Sequence, residues 1–135
     1  MPHLTIEYSG NLRDQADMPV LMRRLSEVLI AEKTADGKQI YPTGGIRVRA
    51  IPYEDYCIAA DQIPDAGFVH TTLRIGPGRT PTELKSTGDH LFEAVSKHFA
   101  DLFEHRGLSL SLAISEFPPP GTWKQNNLHR LLKKD

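Results

Sequence analysis

Apolar and polar residues alternate at the start of the chain and then recur at helical spacing. Residues 2–8 alternate with period two, which predicts a strand. From about 18 to 33 the apolar residues fall on one face at helical spacing, so a helix is predicted there, with Asp17 as its N-cap. The Pro- and Gly-rich stretch 42–45 ends this pattern, and a second strand is predicted at 46–51.

The same pattern then occurs a second time. A connector at 52–67 leads to a predicted third strand at 68–75. A long helix is predicted to begin after Thr80, which lies three residues before Glu83 as in a capping box, and to end at Gly107. Its expected apolar stripe consists of Leu84, Leu91, Phe92, Val95, Phe99 and Leu102.

A fourth strand is predicted at 108–115, where leucine and isoleucine alternate with serine and alanine. The prolines at 118–120 end it, and a polar tail at 122–135 contains a short helical piece around Leu128. The order β-α-β, β-α-β predicts an α+β fold in a single domain, residues 1–135. Right-handed crossovers make the strands of each unit parallel within one four-stranded mixed sheet, which has both helices on one face. The other face carries small residues, which suits either solvent or packing against another subunit.

Composition restricts the possible functions. Sixteen Lys and Arg stand against 17 Asp and Glu, a net charge of −1, which argues against nucleic-acid binding and against a polybasic membrane surface. No apolar run approaches the ~20 residues of a membrane span, and no secretory signal is apparent. Cys57 is the only cysteine, so an internal disulfide and a zinc–thiolate cluster are both excluded. These features predict a cytoplasmic protein.

Pro2 is a candidate for proton transfer. Methionine is normally trimmed ahead of a small residue such as proline, and removal of Met1 would leave a secondary amine at the new N-terminus. An α-amino group titrates near ~8, and burial or a neighbouring cation lowers that pKa towards neutrality. Such an amine is a usable base at physiological pH, although many chains that start with Met-Pro are chemically idle.

Arg47 and Arg79 are candidates for binding an anion. Arg47 opens the second predicted strand, and Arg79 directly precedes the N-terminus of the long helix, where backbone N–H groups and the helix dipole favour negative charge. An arginine fork suits a carboxylate. The alternatives are that Arg47 is a surface residue or pairs with Glu7, and that Arg79 serves the helix start by pairing with Glu83.

Other kinds of site fit the sequence poorly. The loop before Arg79 lacks the Lys-Ser/Thr of a Walker loop and the third glycine of a dinucleotide fingerprint, which leaves phosphate binding as a weak alternative. The six histidines include no pair at i, i+4, and His98 and His105 lie about 10.5 Å apart along a helix, so no metal site is predicted. No serine–histidine–aspartate arrangement is evident.

Four segments together resemble the 5-carboxymethyl-2-hydroxymuconate Δ-isomerase family of the tautomerase superfamily. They are Pro2-His3, residues 42–49 (PTGGIRVR), residues 68–79 (FVHTTLRIGPGR) and residues 124–129 (KQNNLH). The resemblance implies a homotrimer whose sheets line a central barrel, with Pro2 as catalytic base and with Arg47 and Arg79 holding carboxylate and carbonyl groups. It also implies action without a cofactor on a small dicarboxylate or tricarboxylate in bacterial homoprotocatechuate breakdown. Segments 31–40 and 52–67 look different from the family.

The resulting hypothesis is an isomerase that moves a double bond in an unsaturated 2-hydroxy or 2-oxo diacid. The neutral amine of Pro2 removes a proton and returns it two carbons along, while the two arginines stabilise the enolate-like charge. The alternatives are a promiscuous keto–enol tautomerase, a hydrolytic dehalogenase of the same superfamily, and a non-catalytic trimer that binds a small anion.

Overall fold

A computed structural model describes residues 1–118 and 121–133. Pro119 and Pro120, which were expected to help end the last strand, lie outside the described residues, as do the last two residues of the tail. The strands are β1 (His3–Ser9), β2 (Arg47–Tyr53), β3 (Gly67–Ile75) and β4 (Leu108–Glu116). The α-helices are α1 (Arg13–Ala16), α2 (Met18–Ala31), α3 (Pro81–His98), α4 (Ala100–His105) and α5 (Leu128–Leu132).

The four strands form one mixed sheet in the order β2-β1-β3-β4. β1 is parallel to β2 and β3 is parallel to β4, whereas β1 and β3, the central pair, run antiparallel. Each strand–helix–strand unit therefore gives a parallel pair, because a crossover through a helix returns the chain in the same direction. The mixed sheet predicted from the sequence is confirmed.

The two long helices cover one face of the sheet. Leu4, Ile6 and Tyr8 of β1 point to that face and are buried in the core, together with Leu21 and Leu25 of α2. The intervening residues of each strand point to the opposite face, which is open in the single chain and carries charged and small polar side chains together with a few large apolar or aromatic ones. This open face consists of His3, Thr5, Glu7, Arg47, Arg49, Ile51, Tyr53, Phe68, His70, Thr72, Arg74, Ser109, Ser111, Ala113 and Ser115.

The prediction of one uninterrupted second helix is wrong. The helix breaks at Phe99, whose backbone (φ −100°, ψ 11°) is not helical and whose side chain is buried in the core. Phe92 was expected on the apolar stripe, but its side chain is 39% exposed. Leu91 and Val95 are one helical turn apart and face the core, so Phe92, about 100° further round the helix than Leu91, points away from it.

The start and end of α2 also differ from the prediction. Asp17 directly precedes the helix but has a left-handed backbone (φ 45°), and its side chain makes no capping bond. The helix ends at Ala31, two residues early, because Glu32 turns extended and buries its carboxylate against α3. Within residues 1–118 and 121–133, every helix is too short or too polar to cross a membrane.

Candidate active site

The starts of two neighbouring strands bring Pro2 and Arg47 together. Pro2 is buried directly before β1, and Arg47 is the first residue of β2. The backbone N–H of Arg47 donates a hydrogen bond to the carbonyl oxygen of Pro2 at 3.0 Å. The Arg47 side chain donates to the carbonyl oxygens of Gly44 (2.9 Å) and Ile46 (3.1 Å). The parallel pairing of β1 with β2 thus places the guanidinium beside the start of the chain, as the sequence hypothesis requires.

The antiparallel pairing of β1 with β3 brings Arg79 to the same edge. His3 lies opposite Arg74 in the ladder, so the loop that follows β3 emerges near the N-terminus. Gly78 in this loop has φ +114°, a conformation suited to glycine. Arg79 then donates to the carbonyl oxygen of Gly76 at 2.9 Å.

Both alternatives that paired these arginines with a glutamate are wrong. The Glu83 side chain accepts from the backbone N–H of Thr80 in a capping box, which confirms the predicted helix start. The Glu7 carboxylate accepts a hydrogen bond from the Tyr53 hydroxyl, several residues along the sheet from Arg47. Neither arginine has a carboxylate within salt-bridge distance among the residues that the structure describes.

Tyr41 supports Arg79, and the sequence analysis missed it. The Arg79 guanidinium lies over the Tyr41 ring, 5.2 Å from its centroid. Tyr41 is fully buried, and its hydroxyl is 2.9 Å from the hydroxyl of Thr87 on α3. Burial raises the pKa of the Tyr41 phenol, so the ring stays neutral beneath the cation. Tyr41 lies outside any periodic stretch of the sequence. Its position directly before Pro-Thr-Gly-Gly was the only sequence feature that could have pointed to its contact with Arg79.

The C-terminal tail folds back over the same edge. Asn126 donates from its side-chain amide to the carbonyl oxygen of Gly44 at 3.0 Å. The backbone of His129 packs so closely on Gly44 that a Cβ there would lie 2.9 Å from the His129 nitrogen. A hollow of about 390 Å³ opens between tail and N-terminus, lined by Met1, Pro42, Gly45, Lys124, Gln125, Asn126 and His129. The sequence analysis quoted residues 124–129 but gave them no role.

The electrostatics of this edge favour a neutral amine and a bound anion. Partial burial lowers the pKa of the terminal amino group, and the charges of Lys124, Arg79 and Arg47 lower it further. With Met1 attached, this amino group belongs to Met1 and the Pro2 nitrogen is an amide. The Met1 amine therefore lies one residue ahead of the Pro2 nitrogen, which is the base in the sequence-based hypothesis. The charges of Lys124, Arg79 and Arg47 act on this Met1 amine. Within the described residues, no three potential metal ligands gather at one place.

Comparison with known proteins gives consistent results. A family model described as 5-carboxymethyl-2-hydroxymuconate isomerase matches residues 2–132. The chain is 41% identical to a 5-carboxymethyl-2-hydroxymuconate Delta-isomerase of Escherichia coli over 133 residues, 98% of this chain and 100% of the relative. The crystal structure of a 5-carboxymethyl-2-hydroxymuconate isomerase from Deinococcus radiodurans R1 is 46% identical, with a TM-score of 0.88 over 98% of this chain and 95% of that chain.

A more distant likeness concerns the fold alone. A fused 4-OT solved as a symmetric trimer is 16% identical, with a TM-score of 0.66 over 92% of each chain. The tautomerase type of fold expected from the sequence is therefore confirmed.

Proposed function

This chain belongs to the 5-carboxymethyl-2-hydroxymuconate isomerase family, and we propose that it shifts a double bond in 5-carboxymethyl-2-hydroxymuconate with Pro2 as the base. The chain is an isomerase, as its full-length relatives are. The observation that supports the proposed site best is the amino terminus itself. It carries an amine of lowered pKa, and the Arg47 and Arg79 side chains near it have no carboxylate partner among the described residues.

In the proposed reaction Met1 has been removed, and Pro2 presents a neutral secondary amine. The amine accepts a proton from the 2-hydroxyl group or the allylic carbon of the substrate. It then returns a proton further along the conjugated chain, so that the double bond moves without any net gain or loss of atoms. Burial and nearby cations disfavour the protonated amine, which keeps Pro2 able to accept a proton near neutral pH.

Arg47 and Arg79 bind the anionic groups of the substrate in this proposal. Each guanidinium already donates to a backbone carbonyl, which holds it in place while other N–H groups are available to a ligand. Arginine holds a carboxylate through two parallel hydrogen bonds, and it stabilises the negative charge that develops on the enolate oxygen.

A homotrimer is part of the proposal. The open face of the sheet presents Ile51, which is 42% exposed in the single chain, and Tyr53, which is 36% exposed. Small residues of β4, such as Ser111 and Ala113, would allow close approach of another subunit. A protein of the same fold was solved as a symmetric trimer. Sedimentation that gives a stable monomer at micromolar concentration would contradict this part.

The proposal also treats residues 1–135 as one domain that works in the cytoplasm. Both strand–helix–strand units contribute to a single sheet and a single core, which supports one folding unit. The lone Cys57, which has no second cysteine for an internal disulfide, supports the proposed cytoplasmic location.

The decisive experiment compares the native N-terminus with a blocked one. Mass spectrometry establishes whether Met1 is absent, and a lysine inserted between Met1 and Pro2 prevents its removal. The processed enzyme is expected to isomerise 5-carboxymethyl-2-hydroxymuconate, and the blocked form is expected to be inactive with an unchanged melting temperature. Full activity with Met1 attached would rule out Pro2 as the base. A processed, folded chain that binds the substrate without turnover would favour the non-catalytic, anion-binding trimer. Turnover of haloacrylates alone would favour the dehalogenase, and turnover of simple enols alone would favour the promiscuous keto–enol tautomerase.

A further inference from the structure

We propose that Lys124 binds the third carboxylate of the substrate and so sets the preference of this enzyme for tricarboxylates over dicarboxylates. This inference rests on the function proposed above. It extends the site from two cations to three, and it gives the C-terminal tail a role in substrate recognition.

The tail holds Lys124 beside the N-terminus. Asn126, two residues further on, is bonded to the Gly44 carbonyl oxygen, the same atom that accepts from the Arg47 guanidinium. The Asn126 side-chain oxygen also accepts from the backbone N–H of Leu128 at 2.6 Å, which shapes the turn into α5. One backbone carbonyl therefore joins the tail to the arginine that opens β2.

The charge of Lys124 acts on the amino group of Met1, one residue ahead of the proposed base Pro2. Among the side chains that lower the pKa of the terminal amine, Lys124 has the largest effect, ahead of Arg79 and Arg47. No carboxylate lies within salt-bridge distance of Lys124 in residues 1–118 and 121–133. Lys124 lines the same hollow as Met1 and is exposed, so its ammonium group is accessible to an anion bound there.

The number of cations matches the chemistry of the substrate. A muconate has two carboxylates, and the 5-carboxymethyl group adds a third. Arg47 and Arg79 have the planar fork that suits the conjugated, planar end of the molecule, where the reaction takes place. Lysine is a point charge on a flexible stem, and this suits a carboxylate on a freely rotating CH₂ arm.

Other cations nearby fit this role less well. Arg49 contacts the Nδ1 atom of His3 at 3.2 Å on the open sheet face and is not among the charges that act on the terminal amine. Arg130 belongs to the same tail but is exposed on α5, and it is not one of the charges that lower the pKa of the terminal amine. Arg130 therefore provides a matched control for Lys124.

The test uses the full-length, Met1-free enzyme and two substrates that differ in one group. These are 5-carboxymethyl-2-hydroxymuconate and 2-hydroxymuconate, which has the same dienol and two carboxylates but no carboxymethyl arm. K124Q is expected to lower kcat/KM for the tricarboxylate about tenfold, mainly through KM, because it loses a charge-assisted hydrogen bond. It should leave kcat/KM for the dicarboxylate nearly unchanged at a pH where the amine is fully deprotonated. K124R should retain most of the selectivity, and R130Q should behave as wild type on both substrates.

An equal fall on both substrates in K124Q would overturn the inference, because it would show that Lys124 only supports the tail. Unchanged kcat/KM values for both substrates in K124Q would overturn it as well. In either case a wild-type enzyme that turns over the tricarboxylate keeps the proposed function intact. Failure of the wild-type enzyme on both substrates would instead contradict the proposed function itself, and the inference with it.

Discussion

The backbone N–H of Arg47 donates a hydrogen bond to the carbonyl oxygen of Pro2 at 3.0 Å. This bond belongs to the main chain and is independent of both side chains, so substitutions at Arg47 leave the start of β1 in register with β2. The chemistry of the Arg47 guanidinium can therefore be tested separately from the geometry of the site.

The first prediction concerns R47K. Lysine keeps the positive charge but lacks the planar fork that binds a carboxylate through two bonds. We expect kcat/KM to fall about tenfold to a hundredfold, as for the loss of a charge-assisted hydrogen bond of about 1.5–3 kcal/mol. The melting temperature should stay close to that of wild type, because among the described residues the Arg47 side chain bonds only to the backbone carbonyls of Gly44 and Ile46. Unchanged kinetics in R47K would show that Arg47 does not hold a carboxylate through its fork.

The second prediction concerns the support of Arg79 by Tyr41. Y41L removes the ring beneath the guanidinium and should lower kcat/KM several-fold beyond its effect on stability. Y41F keeps the ring and loses only the hydrogen bond to Thr87, so it should cost about 1 kcal/mol of unfolding free energy and leave kcat/KM nearly unchanged. Urea denaturation and steady-state kinetics of the two variants separate these effects. Equal activity in Y41L and Y41F would show that the ring plays no part in positioning Arg79.

The third prediction is the pH dependence of kcat/KM. In the proposed mechanism the neutral amine of Pro2 is the active form, so activity should rise with pH as the amine loses its proton and then reach a plateau. Burial and the neighbouring cations lower the pKa of the terminal amine, so the midpoint should fall below the ~8 of an ordinary α-amine. R79A removes one of these cations and should move the midpoint of its residual activity upward. A midpoint at or above the ordinary value in the wild-type enzyme would contradict a role for the cations in tuning the base.

The fourth prediction concerns stability and His90. The Nδ1 atom of His90 is 2.7 Å from the buried carboxylate of Glu32, and this hydrogen bond and charge raise the His90 pKa, with smaller contributions from Glu93 and Asp89. Because the folded-state pKa is raised, protonated His90 contributes its full stabilisation of the fold at pH values below the unfolded pKa of about 6.5. This stabilisation is lost as the pH rises through the folded-state pKa.

The variant that tests this interaction is H90N. It should melt at a lower temperature than wild type at about pH 5.5, and the difference should shrink by about pH 9. H105N is a control at the exposed end of α4, where the polar partner of the histidine is Asp101 of its own helix. A difference between wild type and H90N that does not vary with pH would contradict the predicted linkage.

The fifth prediction compares two glycines. In G44A the new Cβ would lie 2.9 Å from both the backbone nitrogen and Nδ1 of His129, so the tail must move away from the N-terminus. We expect a strain of about 1–3 kcal/mol and a clear loss of kcat/KM. G88A lies within α3 and places its Cβ at 3.5 Å from the Cδ1 atom of Ile114 on β4, an ordinary van der Waals contact, and it should stabilise the protein by about 0.5–1 kcal/mol. A fully active G44A would show that the tail is not needed at the site.

The sequence alone determined the order of the four strands and the two long helices, and the start of α3. The period-two pattern of β1 and the capping box of Thr80 and Glu83 are local, because they depend on residues a few positions apart. The same pattern placed Pro2, Arg47 and Arg79 at strand ends and loops. The crossover between β1 and β2 makes those strands parallel and so brings Arg47 beside Pro2, whereas Arg79 reaches the same edge through the antiparallel pairing of β1 with β3.

The tertiary structure decided what local patterns do not encode. The helix breaks at Phe99, whose side chain is buried in the core, and the local helical pattern, which favours an uninterrupted helix there, does not encode such a long-range contact. Tyr41 and Lys124 reach Arg79 and the amino terminus only through chain segments that return across the sheet edge. Neither residue lies in a periodic stretch, and their roles depend on contacts between residues nearly forty or more than a hundred positions apart. Such contacts become visible only when the whole chain has folded, because packing and charge act through space and not along the sequence.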